Sequence, residues 1–198
     1  MRNSEHDLPP WIWRGLGFGA VGLLLATVLG IGLISAGVFD PRPGGSLQRL
    51  IAPGARTAST LDPRLTWLDE QLPQPPFTVR LLAAHRSGET DVGYGLALGA
   101  PHAYLAAGVS PLGYVTLWQE DGTGETVHMP WQTWPHVRPG SEPNEIQVDV
   151  NDGRVSVRLN RELLWQGPWL EDAAGIGLYT ETFGAPTTVG FEQLSFFH

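Results

Sequence analysis

Two hydrophobic regimes follow one another along this chain. From Gly15 to Phe39 no residue is charged. The run shows no amphipathic alternation, and about 20 such residues suffice for a helix to cross a bilayer. Trp11, Trp13 and Arg14 stand just before it, where amphipathic rings and a cation prefer the headgroup level. Asp40, Pro41 and Pro43 end it, because proline cannot continue a helix. The pattern therefore predicts an N-terminal stub over 1–14 and a transmembrane helix over 15–39. The run is longer than the 7–15-residue core of a signal peptide. Gly15, Gly19, Gly22, Ala26 and Gly30 recur at spacings of three and four. Such a small-residue stripe lets a second helix approach closely in lipid.

Residues 40–76 read as a linker, broken by Pro41, Pro43, Gly44, Gly45, Pro53, Gly54 and Pro63. Within it Leu65–Leu72 is expected to form a short helix with Trp67 and Leu68 turned inward. Pro73, Pro75 and Pro76 close the segment. From Phe77 the period drops to two. Strands are predicted at Phe77–Ala84, Val92–Leu98, Tyr104–Val109, Tyr114–Gln119, Glu145–Val150, Arg154–Leu159, Leu163–Trp165, Gly175–Tyr179 and Thr188–Phe197. Ile146, Val148 and Val150 alternate with polar residues, and so do Val155, Val157 and Leu159. Asn151-Asp152-Gly153 joins those two runs, and these residue types tolerate the positive φ of a tight hairpin. Nine or ten short strands with no crossover helix between them give an all-β antiparallel sandwich over 77–198.

Composition sharpens this. With 25 Gly, 17 Pro and 8 Trp in 198 residues, the chain is rich in turns and aromatics, as β domains are. Residues 1–39 carry Arg2, Arg14, Glu5 and Asp7, which cancel, so the net charge of −8 lies on the rest. An acidic domain without a basic stripe repels phosphate backbones, and no nucleic-acid partner is expected. The absence of cysteine excludes disulfides, thiolate metal sites and covalent c-type haem.

The order Asp91-Val-Gly-Tyr-Gly-Leu-Ala-Leu-Gly99, Tyr104…Val109-Ser110-Pro-Leu-Gly113-Tyr114, Asn144-Glu-Ile-Gln-Val148, Val157-Arg-Leu-Asn160, Gly175-Ile-Gly-Leu-Tyr179 and Val189-Gly-Phe191-Glu192…Leu194 resembles a concanavalin A-like jelly roll of the laminin G or family-16 glucanase type. The resemblance covers roughly 77–197. It implies a jelly-roll sandwich, in a family that holds lectins, glycoside hydrolases, sugar-binding modules and structural domains. Two departures stand out. The usual Asn-Gly turn is Asn160-Arg161 here, which asks Arg161 to adopt a left-handed conformation. The usual Phe-Asp-Asn or Phe-Asp-Asp of the last strand is Phe191-Glu192-Gln193, which argues against an inherited metal site.

No catalytic residue is assigned. The glucanase branch implies Glu-x-Asp-x-x-Glu, but Glu89-Thr-Asp91-Val-Gly-Tyr94 ends on tyrosine. Glu181, just past Tyr179, is the first acid to test if a cleft exists. Asp69-Glu70, Glu120-Asp121 and Glu171-Asp172 read as loop decoration. His6, His85, His102, His128, His136 and His198 show no ligand spacing, so neither metal nor cofactor is expected. Trp118, Trp131 and Trp134 are the candidate contact surface, with Trp131 and Trp134 on a loop. Taken together, these features predict a non-enzymatic single-pass membrane protein with an extracytoplasmic β domain. Its partners would be the bilayer and the subunits of a bacterial membrane complex. The alternatives are a cell-surface carbohydrate-binding module and, behind it, a glycosidase-like enzyme.

Overall fold

The computed structural model describes residues 10–35, 42–59, 63–170 and 173–198, with side chains of the N-terminal helix described from residue 18 to 34. The chain divides into two units, Met1–Arg42 and Pro43–His198. The first holds helix α1, Pro10–Ser35. It takes in Trp11, Trp13 and Arg14, ahead of the apolar run; residues 36–39 of that run lie outside the described residues. Among the described residues no helix is long and apolar enough to cross a membrane. The transmembrane assignment of 15–39 is therefore not supported. Gly19, Gly22 and Gly30 have open space where a β-carbon would stand. Ala26 is exposed, and Gly15 lies outside the described side chains.

The described residues of the second unit form a sandwich of two antiparallel sheets built from thirteen strands. The first sheet runs β1 (Leu47–Ile51), β13 (Thr187–Phe197), β4 (Phe77–Ser87), β9 (Asn144–Asn151), β10 (Arg154–Leu159), β11 (Glu162–Pro168), with β2 (Gly54–Ala58) also on β13. The second runs β3 (Arg64–Gln71), β12 (Gly175–Thr182), β5 (Val92–Ala100), β6 (Ala103–Ser110), β7 (Tyr114–Glu120), β8 (Glu125–Thr133). The supposed linker 40–76 thus contains three strands. Leu65–Leu72 is β-structure rather than helix, because β12 offers an open edge: Leu65 stands opposite Tyr179 and Trp67 opposite Gly177. Both partner edges come from the far end of the chain, so the local Pro/Gly pattern could not reveal them.

Period-two alternation builds the core. On β5, Val92, Tyr94, Leu96 and Leu98 enter the space between the sheets, and on β9 Ile146, Val148 and Val150 do so. Phe77, Val79 and Leu81 of β4 meet Phe191, Leu194 and Phe196 of β13, with a bulge between Phe191 and Gln193. Each such residue is almost fully buried, and a large apolar side chain there stabilises by roughly 1.5–3 kcal/mol.

The hairpins follow the expected turn chemistry. Asp152 and Gly153 take φ of 49° and 71°. At the next turn Asn160 and Arg161 take 49° and 79°. Arginine bears a β-carbon that disfavours this region, whereas glycine does not. Replacing Arg161 by glycine should therefore raise stability by about 0.5–1 kcal/mol, offset in part by a freer unfolded chain. The midpoint of urea unfolding reads this gain, and an unchanged or lower midpoint would contradict it.

Candidate functional site

The outward positions of the second sheet carry an unusual sequence. While β5 sends large residues inward, Gly93, Gly95, Ala97 and Gly99 alternate with them outward. Ala106 and Gly108 continue this on β6, and Gly177 on β12. The result is a floor of small residues on which aromatic rings can lie. A β-carbon on Gly93 would stand 2.8 Å from the Trp131 ring and 3.0 Å from the Tyr179 hydroxyl. One on Gly108 would stand 2.7 Å from the Tyr179 ring. Glycine is needed at both places because rings occupy the space.

Those rings form a second apolar cluster, separate from the core between the sheets. Ala97, Ala106, Trp118 and Tyr179 are its buried members, and Leu65, Trp67, Tyr104 and Trp131 pack against them. Trp118 meets Tyr179 edge-on at 4.9 Å, and Trp131 meets Phe183 edge-on at 5.9 Å. Both are the favoured geometry of aromatic quadrupoles.

Trp131 separates two cavities. One, of about 300 Å³, is lined by Trp118, Trp131, Tyr179, Glu181 and Glu125 among others. The second, of about 340 Å³, is lined by Asp91, Ser110, Leu112, Tyr114, Trp131 and Phe183. Leu112, Tyr114 and Phe183 are all exposed. An exposed Leu, Tyr and Phe beside a half-buried Trp is apolar surface that folding alone does not require.

Glu181 is only 7% exposed. The Tyr179 hydroxyl donates to its Oε2 in a short hydrogen bond. Burial first, and that bond second, push the Tyr179 phenol far above the ordinary tyrosine range. It therefore stays protonated and keeps donating. Nearby, Thr116 Oγ1 donates to the Met129 carbonyl at 3.0 Å, tying β7 to β8 where the ladder bulges.

The three tryptophans singled out in the sequence separate here. Trp118 and Trp131 share the first cavity. Trp131 sits on strand β8 rather than on a loop; Pro130 and two bulges mask that strand in the sequence, and β8 lies at the sheet edge where proline is tolerated. Trp134 packs on the core between the sheets and does not line either cavity. Trp165 and Trp169 also pack on that core. Tyr114 and Phe183 were not foreseen as parts of a site, and Asp91 only as an acid of the incomplete glucanase pattern. Their signal is topological, since β5, β6, β7, β8 and β12 bring their ends together.

Several other acids have structural partners. Glu89 Oε2 accepts from the Ala185 amide at 3.1 Å. Glu70 pairs with Arg49, and Glu192 with Arg86. Glu171 and Asp172 lie outside the described residues. Among the described residues no three His, Asp or Glu side chains gather as a metal site.

No family model matches the chain, and no curated protein sequence matches it. Solved structures do. A carbohydrate-binding module, CBM66 from Bacillus subtilis, superposes with TM-score 0.55 at 11% identity, over 78% of this chain and 98% of that one. The galectin LEC-6 of Caenorhabditis elegans gives 0.50 at 15% identity, over 78% of this chain and 100% of the galectin. A β-fructofuranosidase of Aspergillus kawachii gives 0.52 at 8% identity over 78% of this chain, but only 28% of that enzyme. At such identities the likeness shows the fold, a concanavalin A-like jelly-roll sandwich. The reading as an accessory subunit of a membrane complex is overturned. The fold is one shared with carbohydrate-binding proteins, and no described helix can span a bilayer.

Proposed function

We propose that the chain is a non-catalytic carbohydrate-binding module whose ligand lies on the outer face of the six-stranded sheet, across Trp131. The observation that carries this reading is Trp131, shared by two acid-lined cavities, with Tyr114 and Phe183 exposed beside it in the second. A sugar ring has apolar C–H faces and a rim of hydroxyls. Aromatic planes take the faces, and Glu181, Asp91 and Ser110 take the hydroxyls. Such a division of labour is usual in small-molecule sites, where apolar walls carry a few placed polar groups. The likeness to a carbohydrate-binding module and to a galectin supports the same assignment.

The test is a glycan array probed with the full chain, followed by titration of the best ligand. Trp131→Ala should weaken that ligand about tenfold, or ~1.4 kcal/mol. Trp134→Ala should leave the affinity unchanged, because Trp134 faces the core. An array without binding, or equal affinity in Trp131→Ala and the parent chain, would remove the proposal.

A further inference from the structure

The second cavity beside Trp131 has a lining that a ring of hydroxyls alone does not use. Leu112, Tyr114, Trp131 and Phe183 enclose about 340 Å³ together with one hydroxyl, Ser110, and one carboxylate, Asp91. We propose that this cavity seats an N-acetyl group, and that the glycan taken by this face carries an N-acetylated amino sugar. This rests on the carbohydrate-binding reading above and names its ligand class, assigning Asp91 and Ser110 the amide of one substituent as their share of the ligand's polar groups.

The strands place these groups together. Ser110 and Tyr114 stand opposite each other across the β6–β7 pair. Their neighbours Val109 and Val115 enter the space between the sheets, so Ser110 and Tyr114 face outward. Phe183 follows β12, and its amide donates to the Asp91 carbonyl at 3.0 Å. Thr182 Oγ1 donates to the same carbonyl at 3.4 Å. The Asp91 main chain is thus fixed beside Phe183. Asp91 itself is exposed, and among the described residues no group donates to its carboxylate. An N-acetyl group presents one N–H donor, one carbonyl acceptor and one methyl. The cavity holds the complement of each. The free Asp91 carboxylate accepts the N–H. The Ser110 oxygen already accepts from the Leu112 amide at 3.3 Å. No described group takes the Ser110 proton, so this hydroxyl is left to donate to the carbonyl. Leu112, Tyr114 and Phe183 are exposed around it, and covering them and Trp131 with a methyl removes apolar area from water. A hydroxyl in the same place would be withdrawn from water among apolar walls, which is costly. A free amine brings neither the methyl nor the carbonyl, and leaves the walls and Ser110 without a partner.

The experiment displaces the best array ligand from the full chain with methyl glycosides of the gluco, galacto and manno series. Within each series the 2-acetamido, 2-hydroxyl and 2-amino sugars share ring stereochemistry and differ only at C2. In at least one series the acetamido sugar should bind about tenfold more tightly than either partner. Asp91→Ala and Phe183→Ala should each cut that preference to about threefold or less, and together abolish it. Asp91→Asn keeps an accepting oxygen and should retain most of it. The preference within a series is the readout, because a purely structural loss would weaken all three sugars alike. Thermal melting confirms that the variants fold. Equal affinities within every series, no displacement by any glycoside, or a preference that survives both Asp91→Ala and Phe183→Ala would overturn the N-acetyl seat while leaving glycan binding intact. A preference lost in Asp91→Asn as fully as in Asp91→Ala would also overturn it, since a charge rather than an acceptor would then be read. Failure of all array glycans would overturn the two proposals together.

Discussion

Gly95→Ala should unfold the sandwich at far lower denaturant than the parent chain, at a cost of about 3–4 kcal/mol. The reason is one of space. The new β-carbon would stand 1.9 Å from the Ala107 carbonyl oxygen and 3.0 Å from the Gly108 α-carbon. These are backbone atoms of the paired strand, so no side-chain rotation relieves the clash. Strands β5 and β6 must part where Gly95 faces Gly108. That displacement removes the support under Tyr179 and Trp131 as well, so glycan affinity should fall with stability. Gly177→Ala is the control on the same face. Its β-carbon would lie 3.4 Å from Trp67 and 3.6 Å from Ala97, near ordinary contact, and should cost under about 1 kcal/mol. Urea midpoints of the two variants decide the matter. Similar midpoints would mean that the floor is more pliable than its geometry implies.

Asn144→Ala should cost about 3 kcal/mol. Asn144 is 1% exposed and holds several backbone and side-chain groups at once. Its Nδ2 donates to the Arg138 carbonyl at 2.9 Å and to the Tyr94 hydroxyl at 3.2 Å. Its Oδ1 accepts from the Arg138 amide at 2.8 Å and from Asn160 Nδ2 at 2.8 Å. Asn160 in turn donates to the His136 carbonyl and accepts from the Glu145 amide. Alanine leaves these groups without their partner, and an unsatisfied buried group costs about 1–3 kcal/mol. Not every stranded group pays in full, since the 134–143 loop can admit water. Hydrogen exchange provides a second readout: the Arg138 and Glu145 amides should lose protection. A loss of stability below about 1 kcal/mol would show that the loop stands without this hub.

Legibility in the sequence depended on whether an element's partner was near or far along the chain. β9 and β10 were legible almost to the residue, because alternation and the Asn151-Asp152-Gly153 turn are local signals. The strain at Arg161 was legible for the same reason. β1, β2 and β3 were not. Their register is fixed by β13 and β12, and nothing nearby in sequence reports an open edge more than a hundred residues away. Of the site, Trp118, Trp131 and Glu181 were visible as residue types. Their convergence was not, since it needs the outward glycines of β5 to be recognised as seats for rings. Trp134 packs on the core while Trp131 lines the cavities, since proximity in sequence does not place both on the same face. The apolar N-terminal run misdirected the functional reading, since hydropathy reports what a helix buries rather than what the sandwich binds.

The early strands also determine where the sandwich can be cut. β13 has β4 on one side and β1 and β2 in succession on the other. β12 is similarly enclosed between β3 and β5. Residues 47–71 are thus a clasp that shields the two last-made strands from other chains. A fragment beginning at Phe77, where the first obvious strand lies, would carry two long unpaired ladders of N–H and C=O groups. Such ladders recruit further strands and lead to aggregation. During synthesis the clasp strands emerge first and must wait for β12 and β13, so the closing step of folding belongs to the C-terminal residues.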